Sequence, residues 1–458
     1  MPDWSALVPV LPAAGKRTPA LYRELRRLIE AGSIPPGSKL PPSRDLAARL
    51  KTSRGSVVAA FETLIAEGYA VARTGAGTFV ADRVPNIRPA APLEADPVRA
   101  SAMPLPGTLG VAMADARTLG RFRMLLSRHL ARPGPEHFHY GDPRGGEALR
   151  QAIAAYLRQA RGVRCEARSI VITTGTQQGL DLVVRAVLSP GDRVMIEDPC
   201  YPSARAAFVG NGLVLSGLAV DGEGADIALA APGARAVYVT PSHQFPLGVA
   251  MSMRRRLALI DWARATGGWI LEDDYDSEFR FAGPPLAAMQ GMDDSGRVIY
   301  LGTFSKVLFP GLRLGYAVLP DALLEEVVAL RSRSDRSPPT LAEAALTDLI
   351  REGHFAAHLR RARRQAEAAR DGLVAGLSAT GSLSVTVPDQ GLHLVAGLPA
   401  ALADTDAVEI ARKAGLGARA LSAMAVTNPP RQGLVIGFSG FAPEVLQATA
   451  TRFALALG

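Results

Sequence analysis

Five short apolar runs, at residues 169–173, 193–196, 236–239, 268–271 and 298–301, are separated by stretches with helical periodicity. Runs this short and this continuously apolar suit strands covered on both faces. Their alternation with helices implies an α/β domain around a mostly parallel sheet over residues 107–458. In such a sheet, functional groups are expected just past the carboxyl ends of the strands. The 458 residues exceed one ordinary domain and imply two or three.

Four of those strand ends carry distinctive residues. The first opens into Thr174-Gly175-Thr176-Gln177-Gln178-Gly179, a glycine-bounded turn before an apolar helix, which offers amide N–H groups to a phosphate. The second leads to Glu197-Asp198-Pro199-Cys200-Tyr201-Pro202, where Tyr201 could stack on a flat ring or simply pack. The fourth ends in Glu272-Asp273-Asp274-Tyr275-Asp276. That cluster suits a metal site, a solvated rim, or one carboxylate held against a protonated ring nitrogen. Tyr275 could then hydrogen-bond a phenolic oxygen.

The fifth strand runs into Leu301-Gly302-Thr303-Phe304-Ser305-Lys306-Val307-Leu308-Phe309-Pro310-Gly311-Leu312-Arg313-Leu314-Gly315-Tyr316. Here Lys306 sits among small and apolar residues. A desolvated lysine loses its proton more easily, as attack on an aldehyde requires. Thr303, Ser305 and Arg313 could supply a phosphate with two hydroxyls and a bidentate cation. A solvated lysine after a buried strand would look the same locally, so the argument rests on the other strand ends.

Charge divides the chain. Residues 1–80 hold 11 Lys+Arg and 6 Asp+Glu, leaving +3 of the formal +8 to the other 378 residues. A small basic head on a nearly neutral body points to nucleic acid. In the head, Leu21, Leu25, Leu28 and Ile29 recur at helical spacing opposite Arg23, Arg26 and Arg27. Ser43 is the expected N-cap of a second helix with Leu46, Ala47 and Leu50 inward. Thr52-Ser53 is expected to cap a third, carrying Val57, Val58, Phe61, Leu64 and Ile65. Residues 69–73 and 78–81 read as a hairpin about Thr74-Gly75-Ala76-Gly77. Three helices and a two-stranded wing suit major-groove reading by the third helix. Ser43, Arg44, Ser53, Arg54 and Ser56 gather at two helix N-termini, favourable ground for phosphate.

Between head and body, residues 82–106 are rich in proline without periodicity, which suits an extended connector or an arm packed on the body. Cys165 and Cys200 provide neither a disulfide framework nor a metal cluster, and a reducing cytoplasmic setting is expected. Met1-Pro2-Asp3-Trp4 lacks a basic-then-apolar leader pattern, and no run of about 18 apolar residues is present to span a membrane.

At Ile34-Pro35-Pro36-Gly37-Ser38-Lys39-Leu40-Pro41-Pro42-Ser43-Arg44-Asp45-Leu46-Ala47, Ser53-Arg54-Gly55-Ser56-Val57 and Gly75-Ala76-Gly77-Thr78-Phe79-Val80, the head resembles the winged-helix DNA-binding domain of the GntR family. The resemblance implies that Arg44 and Arg54 reach DNA and that Gly77 lets the wing approach it. The body is similar to fold-type I, aspartate-aminotransferase-like domains. The strand-end groups carry this, together with Tyr140-Gly141-Asp142-Pro143-Arg144-Gly145 and Pro190-Gly191-Asp192. That implies pyridoxal 5′-phosphate (PLP), with Lys306 forming the Schiff base, Asp273 on the pyridinium and Tyr275 on the ring oxygen. Tyr201 would stack, while Thr176, Gln177, Thr303, Ser305 and Arg313 would serve the phosphate.

The joined layout resembles the MocR/GabR regulators. The expected architecture is an α+β winged helix-turn-helix over residues 1–81, a linker over 82–106, and a large α/β PLP-dependent transferase fold over 107–458. A smaller C-terminal subdomain is expected from about 335. The resemblance implies a cytoplasmic, dimeric regulator of a double-stranded DNA operator, with PLP or a small amine as effector. Two departures weigh against the alternative, a working aminotransferase carrying a DNA-binding head. Pro241-Ser242-His243-Gln244-Phe245-Pro246-Leu247-Gly248 stands where aminotransferases have Asn-Pro-Thr-Gly, so Phe245 replaces an asparagine that bonds the ring oxygen. Val435 in Leu434-Val435-Ile436-Gly437-Phe438 stands where they carry an arginine for the substrate carboxylate, with Arg431 nearby. A third reading, a DNA-binding dimer whose body has lost its cofactor, is opposed by the intact Asp273, Tyr275, Lys306 and Arg313.

Overall fold

Apolar residues at helical spacing, followed by a glycine-containing hairpin, build the first of two compact units. The computed structural model describes residues 17–84, 103–283 and 286–457, and the two units divide between 84 and 103. In the first unit, α1 (Arg17–Glu30), α2 (Ser43–Arg49) and α3 (Arg54–Ala66) precede the antiparallel pair β1 (Ala70–Arg73) and β2 (Gly77–Val80). Leu21, Leu25, Leu28, Leu46, Val57, Phe61, Leu64 and Val80 close its core. Ile65, expected inward, is 36% exposed, because the helix turns that position outside the packed stripe. Ser53 caps α3, its Oγ accepting the Ser56 N–H at 3.1 Å. Ser43 does not cap α2. Pro42 holds the cap position and Ser43 is the first helical residue.

The second unit begins with α4 (Ala116–Ala131) and α5 (Glu147–Arg161). Next come β3 (Ile170–Thr173), α6 (Thr176–Val187), β4 (Arg193–Asp198), α7 (Pro202–Gly210), β5 (Val214–Asp221), β6 (Gly224–Ala225) and β7 (Ala234–Val239). They are followed by α8 (Met253–Thr266), β8 (Trp269–Asp274), β9 (Val298–Thr303), β10 (Gly315–Val318) and α9 (Asp321–Ser334). These strands form one sheet in the order β3-β10-β9-β8-β7-β4-β5-β6. The run from β9 to β5 is parallel, while β10 is antiparallel to both its neighbours. Successive residues feed opposite faces. Val237, Ile270 and Val298 pack with Leu259 and Ile260 of α8, whereas Tyr238, Leu271 and Ile299 pack with Leu180 and Val183 of α6. All five predicted strands are present. The second, fourth and fifth run two or three residues further than read from the sequence, so Asp273 and Thr303 stand on the strands themselves rather than beyond them.

The remainder comprises α10 (Thr340–Arg351), α11 (His354–Leu377), β11 (Ser384–Val385), β12 (His393–Gly397), α12 (Asp404–Lys413), β13 (Arg419–Ala420), β14 (Leu434–Gly437) and α13 (Pro443–Leu455). Its four strands form an antiparallel sheet in the order β11-β12-β14-β13. Most of the proline-rich stretch lies outside the described residues. Its last part is held to this unit, Pro106 accepting from the Gly417 N–H at 2.6 Å. The chain then passes Gly110 and gives two backbone N–H groups, those of Met113 and Ala114, to the Leu308 carbonyl. No described helix is long and apolar enough to cross a membrane.

Candidate functional site

Three parallel strands and one strand-helix turn end around a single cavity of about 220 Å³. One water needs only about 15 Å³ of such space, so the cavity holds a ring-sized molecule. All nine residues singled out for a cofactor line it: Thr176, Gln177, Tyr201, Asp273, Tyr275, Thr303, Ser305, Lys306 and Arg313.

The acidic cluster resolves by strand alternation. Glu272 and Asp274 point away from Asp273 and are consumed by the scaffold. Glu272 accepts the backbone N–H groups of Met289 and Gln290, each at 2.9 Å. Asp274 pairs with Arg161 at 2.8 Å and accepts from the Tyr300 hydroxyl at 2.6 Å. Asp273 faces the cavity. Its Oδ2 accepts from Tyr238 Oη at 2.6 Å, and its Oδ1 is buried without a partner. Burial pushes the Asp273 carboxyl up to about 7, against the Tyr238 hydrogen bond and the Lys306 charge. A cationic ring N–H opposite Oδ1 would supply what this carboxylate lacks.

Lys306 lies in the turn between β9 and β10. Burial lowers its basicity, with Asp276 and Asp273 opposing and Arg419 reinforcing the effect. The lysine needs Gly110, because a Cβ there would lie 2.5 Å from Nζ. At the other end of the cavity, Gly175 has φ 110° and opens α6 at Thr176. A Cβ on Gly175 would lie 3.6 Å from the Arg313 guanidinium, which has no carboxylate partner among the described residues. Thr303 Oγ1 accepts from the Ser305 N–H at 3.1 Å, and Gln177 donates to the Ser203 carbonyl. An unpaired guanidinium, hydroxyls and a helix N-terminus form a setting for a phosphate. The residues therefore fit a phosphorylated pyridine aldehyde at both ends and at the middle.

Tyr201 meets Phe245 edge-on, ring centroids 5.3 Å apart, and Phe245 stands 6.2 Å from Tyr275. Val435 is fully buried with Leu421 and Met424, against Leu109, Phe245 and Leu247. Arg431 does not line the cavity. Its guanidinium donates to the Val220 carbonyl at 2.6 Å.

Sequence reasoning missed five groups that complete the site. Tyr238 was read only as strand, although an alternating strand necessarily turns it to the face that carries Asp273. Glu197, buried and pushed up to about 7 by desolvation, accepts from the Thr240 N–H and hydroxyl. His243 and Asp276 form a buried pair 2.9 Å apart, and His393 packs on His243 with ring centroids at 4.7 Å.

In the head, the Arg54 Nε reaches Ser43 Oγ at 3.4 Å, joining the starts of α2 and α3, while Ser53 and Ser56 share a hydroxyl contact of 2.9 Å. Arg44 and Arg54 are exposed. Gly77, with φ 111°, lets Lys39 lie against the wing, and both Lys39 and Arg73 stand over the Phe79 ring. These two wing cations were not singled out in the sequence.

Residues 18–80 match the gntR family of bacterial regulatory proteins, and residues 122–431 match aminotransferase class I and II. The probable rhizopine catabolism regulatory protein MocR of Rhizobium meliloti is 37% identical over 448 residues, covering 93% of this chain and 91% of that protein. The chain belongs to the MocR-type transcriptional regulators. Another relative of this MocR-type chain is the HTH-type pyridoxine biosynthesis transcriptional regulator PdxR of Corynebacterium glutamicum, 33% identical over 75% of each protein. The HTH-type transcriptional regulator TauR of Rhodobacter capsulatus is 32% identical over 73% of this chain and 75% of its own length. Among solved structures, the α-aminoadipate aminotransferase LysN of Thermus thermophilus, complexed with N-(5′-phosphopyridoxyl)-L-leucine, superposes with TM-score 0.71 and 25% identity. It covers 77% of this chain and 92% of its own. The body of this MocR-type regulator thus has the fold-type I aminotransferase fold.

Proposed function

We propose that this regulator binds pyridoxal 5′-phosphate at Lys306 and changes its hold on a DNA operator when that site is filled or exchanged. The supporting observation is the cavity itself. It combines a lysine of lowered basicity with a buried carboxylate oxygen and an arginine that have no partner and no counter-ion among the described residues. When bound, the cofactor would supply an aldehyde able to exchange amines. Asp273 would hold the pyridinium proton, Tyr275 the ring oxygen, and Tyr201 would cover the ring face. Thr176, Gln177, Thr303, Ser305 and Arg313 would take the phosphate. Arg44, Arg54 and the wing at Gly77, with Ser43, Ser53 and Ser56 at the helix starts, would contact double-stranded DNA in the cytoplasm.

Phe245 and Val435 leave the ring oxygen and a substrate carboxylate without the groups that aminotransferases use, which favours sensing over turnover. The effector is then PLP itself or a small amine, which must bind two states of the body unequally. The relative named for regulation of pyridoxine biosynthesis supports including PLP in that range. A homodimer is supported by the apolar residues left exposed at Leu119, Met124, Leu130, Phe138 and Tyr140, the last 76% exposed.

The test is fluorescence anisotropy on DNA from upstream of the protein's own gene, at one stated salt concentration because affinity depends steeply on it. Cofactor-free and PLP-loaded protein should differ in affinity, and Lys306→Ala should abolish the difference. Tight binding indifferent to PLP would transfer the effector role to an amine. Absence of binding, with turnover of an amino donor, would establish the enzyme reading instead.

A further inference from the structure

Beneath the cavity wall, one buried imidazole, His243, connects Tyr275 to a carboxylate, Asp276, that none of the assigned roles uses. Tyr275 Oη donates to the His243 carbonyl at 2.8 Å and lies 3.1 Å from His243 Nδ1. The same Nδ1 stands 2.9 Å from Asp276 Oδ2, which also accepts the Leu392 N–H at 3.2 Å. Both His243 and Asp276 are at most 2% exposed, and His243 Nε2 and Asp276 Oδ1 have no partner. The imidazole is wedged between glycines, since a Cβ on Gly391 would fall 1.8 Å from its Cε1 and one on Gly248 3.3 Å from its Nε2.

The tautomer follows from these contacts. Asp276 cannot donate while ionised, so Nδ1 carries the proton toward it, and Tyr275 Oη, whose own proton goes to the His243 carbonyl, accepts from the same Nδ1–H. His393 Nε2 is 3.0 Å from the Pro246 carbonyl, which fixes its own proton there and makes it a neutral neighbour of His243. His243, Asp276 and His393 bring donor atoms within 4.8 Å of one another, but the His243–Asp276 bond turns two of the three groups on each other.

We propose that His243 and Asp276 are positioning residues of the cofactor site, a buried imidazole–carboxylate pair that orients Tyr275 and fixes a negative charge facing Lys306. This inference rests on the reading of Lys306 and Tyr275 given above. The geometry separates the two members. His243 is not among the cavity-lining residues and reaches the cavity through its neighbours Tyr275, Asp276 and His393. Asp276 lines the cavity itself and heads the charges acting on Lys306, ahead of Asp273 and opposite to Arg419. The titratable and charged groups around the pair are Tyr275, His393, Asp273, Lys306 and Arg419. A fixed anion there favours the protonated form of whatever nitrogen Lys306 presents. With Phe245 unable to bond the ring oxygen and the Thr240 hydroxyl given to Glu197, Tyr275 is a cavity-lining hydroxyl placed to do so once its proton turns from the His243 carbonyl, and its orientation becomes decisive.

The experiment is a pH titration of the visible absorbance of the PLP-loaded full-length chain. Asp276→Asn keeps the Leu392 hydrogen bond and removes the charge. It should lower the titration midpoint by about one unit, the usual effect of losing a nearby opposite charge. His243→Leu should shift the midpoint as Tyr275→Phe does, and the double variant should shift it no further. His243→Asn, which places an amide N–H near the Nδ1 position, should restore the wild-type midpoint. Midpoints equal to wild type in both Asp276→Asn and His243→Leu would overturn the inference while leaving the lysine reading intact. A wild-type chain with no visible band on PLP loading would overturn both. Should Asp276→Asn not fold, the comparison of His243→Leu with His243→Asn decides alone, since a merely structural histidine would change occupancy without moving the midpoint.

Discussion

Each of the four carboxylates from Glu272 to Asp276 has a different employment, and only its partners reveal which. Backbone amides hold Glu272 and Arg161 holds Asp274, while Asp273 and Asp276 both line the cavity and keep an unpartnered Oδ1 among the described residues; of these two, Asp276 has an imidazole to bond and Asp273 only the Tyr238 hydroxyl. An unpartnered buried carboxylate costs free energy until a donor meets it. Asp273→Asn should therefore weaken PLP binding strongly, because the amide offers the ring nitrogen no anion. Equilibrium titration of the cofactor-free protein should give at least a tenfold loss, about 1.4 kcal/mol, and an unchanged affinity would remove Asp273 from the ring. Lys306→Ala should abolish the visible absorbance but retain phosphate-anchored binding through Arg313. The lysine, the aspartate and the arginine were legible as residue types at strand ends. That Asp273 rather than Glu272 or Asp274 would face inward was legible too, through the two-residue period of β8, whereas the place of Asp276 in the cavity lining was not. The partners that occupy the others were not, since Arg161 and Tyr300 lie far away in sequence.

At the scale of elements, the winged helix acts through the starts of two helices and a hairpin. Ser53 caps α3 and Arg54 follows it directly, so the arginine leaves the helix at the end where backbone N–H groups are free. Arg54→Ala should weaken operator binding by about 1–3 kcal/mol if the side chain reads a base. The PLP absorbance of the same variant should be that of wild type. A salt slope reduced by about one, with uniform loss across sequences, would instead make Arg54 a phosphate contact. The error at Ser43 belongs to this scale. A serine before a helical pattern reads as a cap, but Pro42 pre-sets the backbone and moves the helix start by one residue. The strand ends ran long for a related reason. Polar residues such as Glu197 and Asp273 looked like loop, yet buried partners let them continue the ladder.

For the whole molecule, the body carries five acids that burial pushes up to about 7: Glu197, Glu272, Asp273, Glu278 and Glu343. Each has a folded pKa above its unfolded value, so the folded state holds more protons between about pH 4.5 and 7. Stability must therefore fall as pH rises through that window and level off above it. The melting temperature of the cofactor-free body should be lower at about pH 8 than at about pH 5. Glu197→Gln, a neutral isostere, should flatten the dependence by on the order of 3 kcal/mol between those limits. Equal slopes in the two proteins would show that Glu197 is charged in the fold. From residue order alone follow the basic head and the strand-helix alternation, because short-range periodicity carries them, whereas the full set of nine cavity residues and the two departures follow from the resemblance to aminotransferases. Tertiary structure alone decided that these residues meet in one cavity and that Arg431 is spent on Val220. It likewise joined Tyr275, His243 and Asp276 in one buried network. Such contacts join residues as far as 211 positions apart, and their energies depend on burial and direction, which no local pattern records.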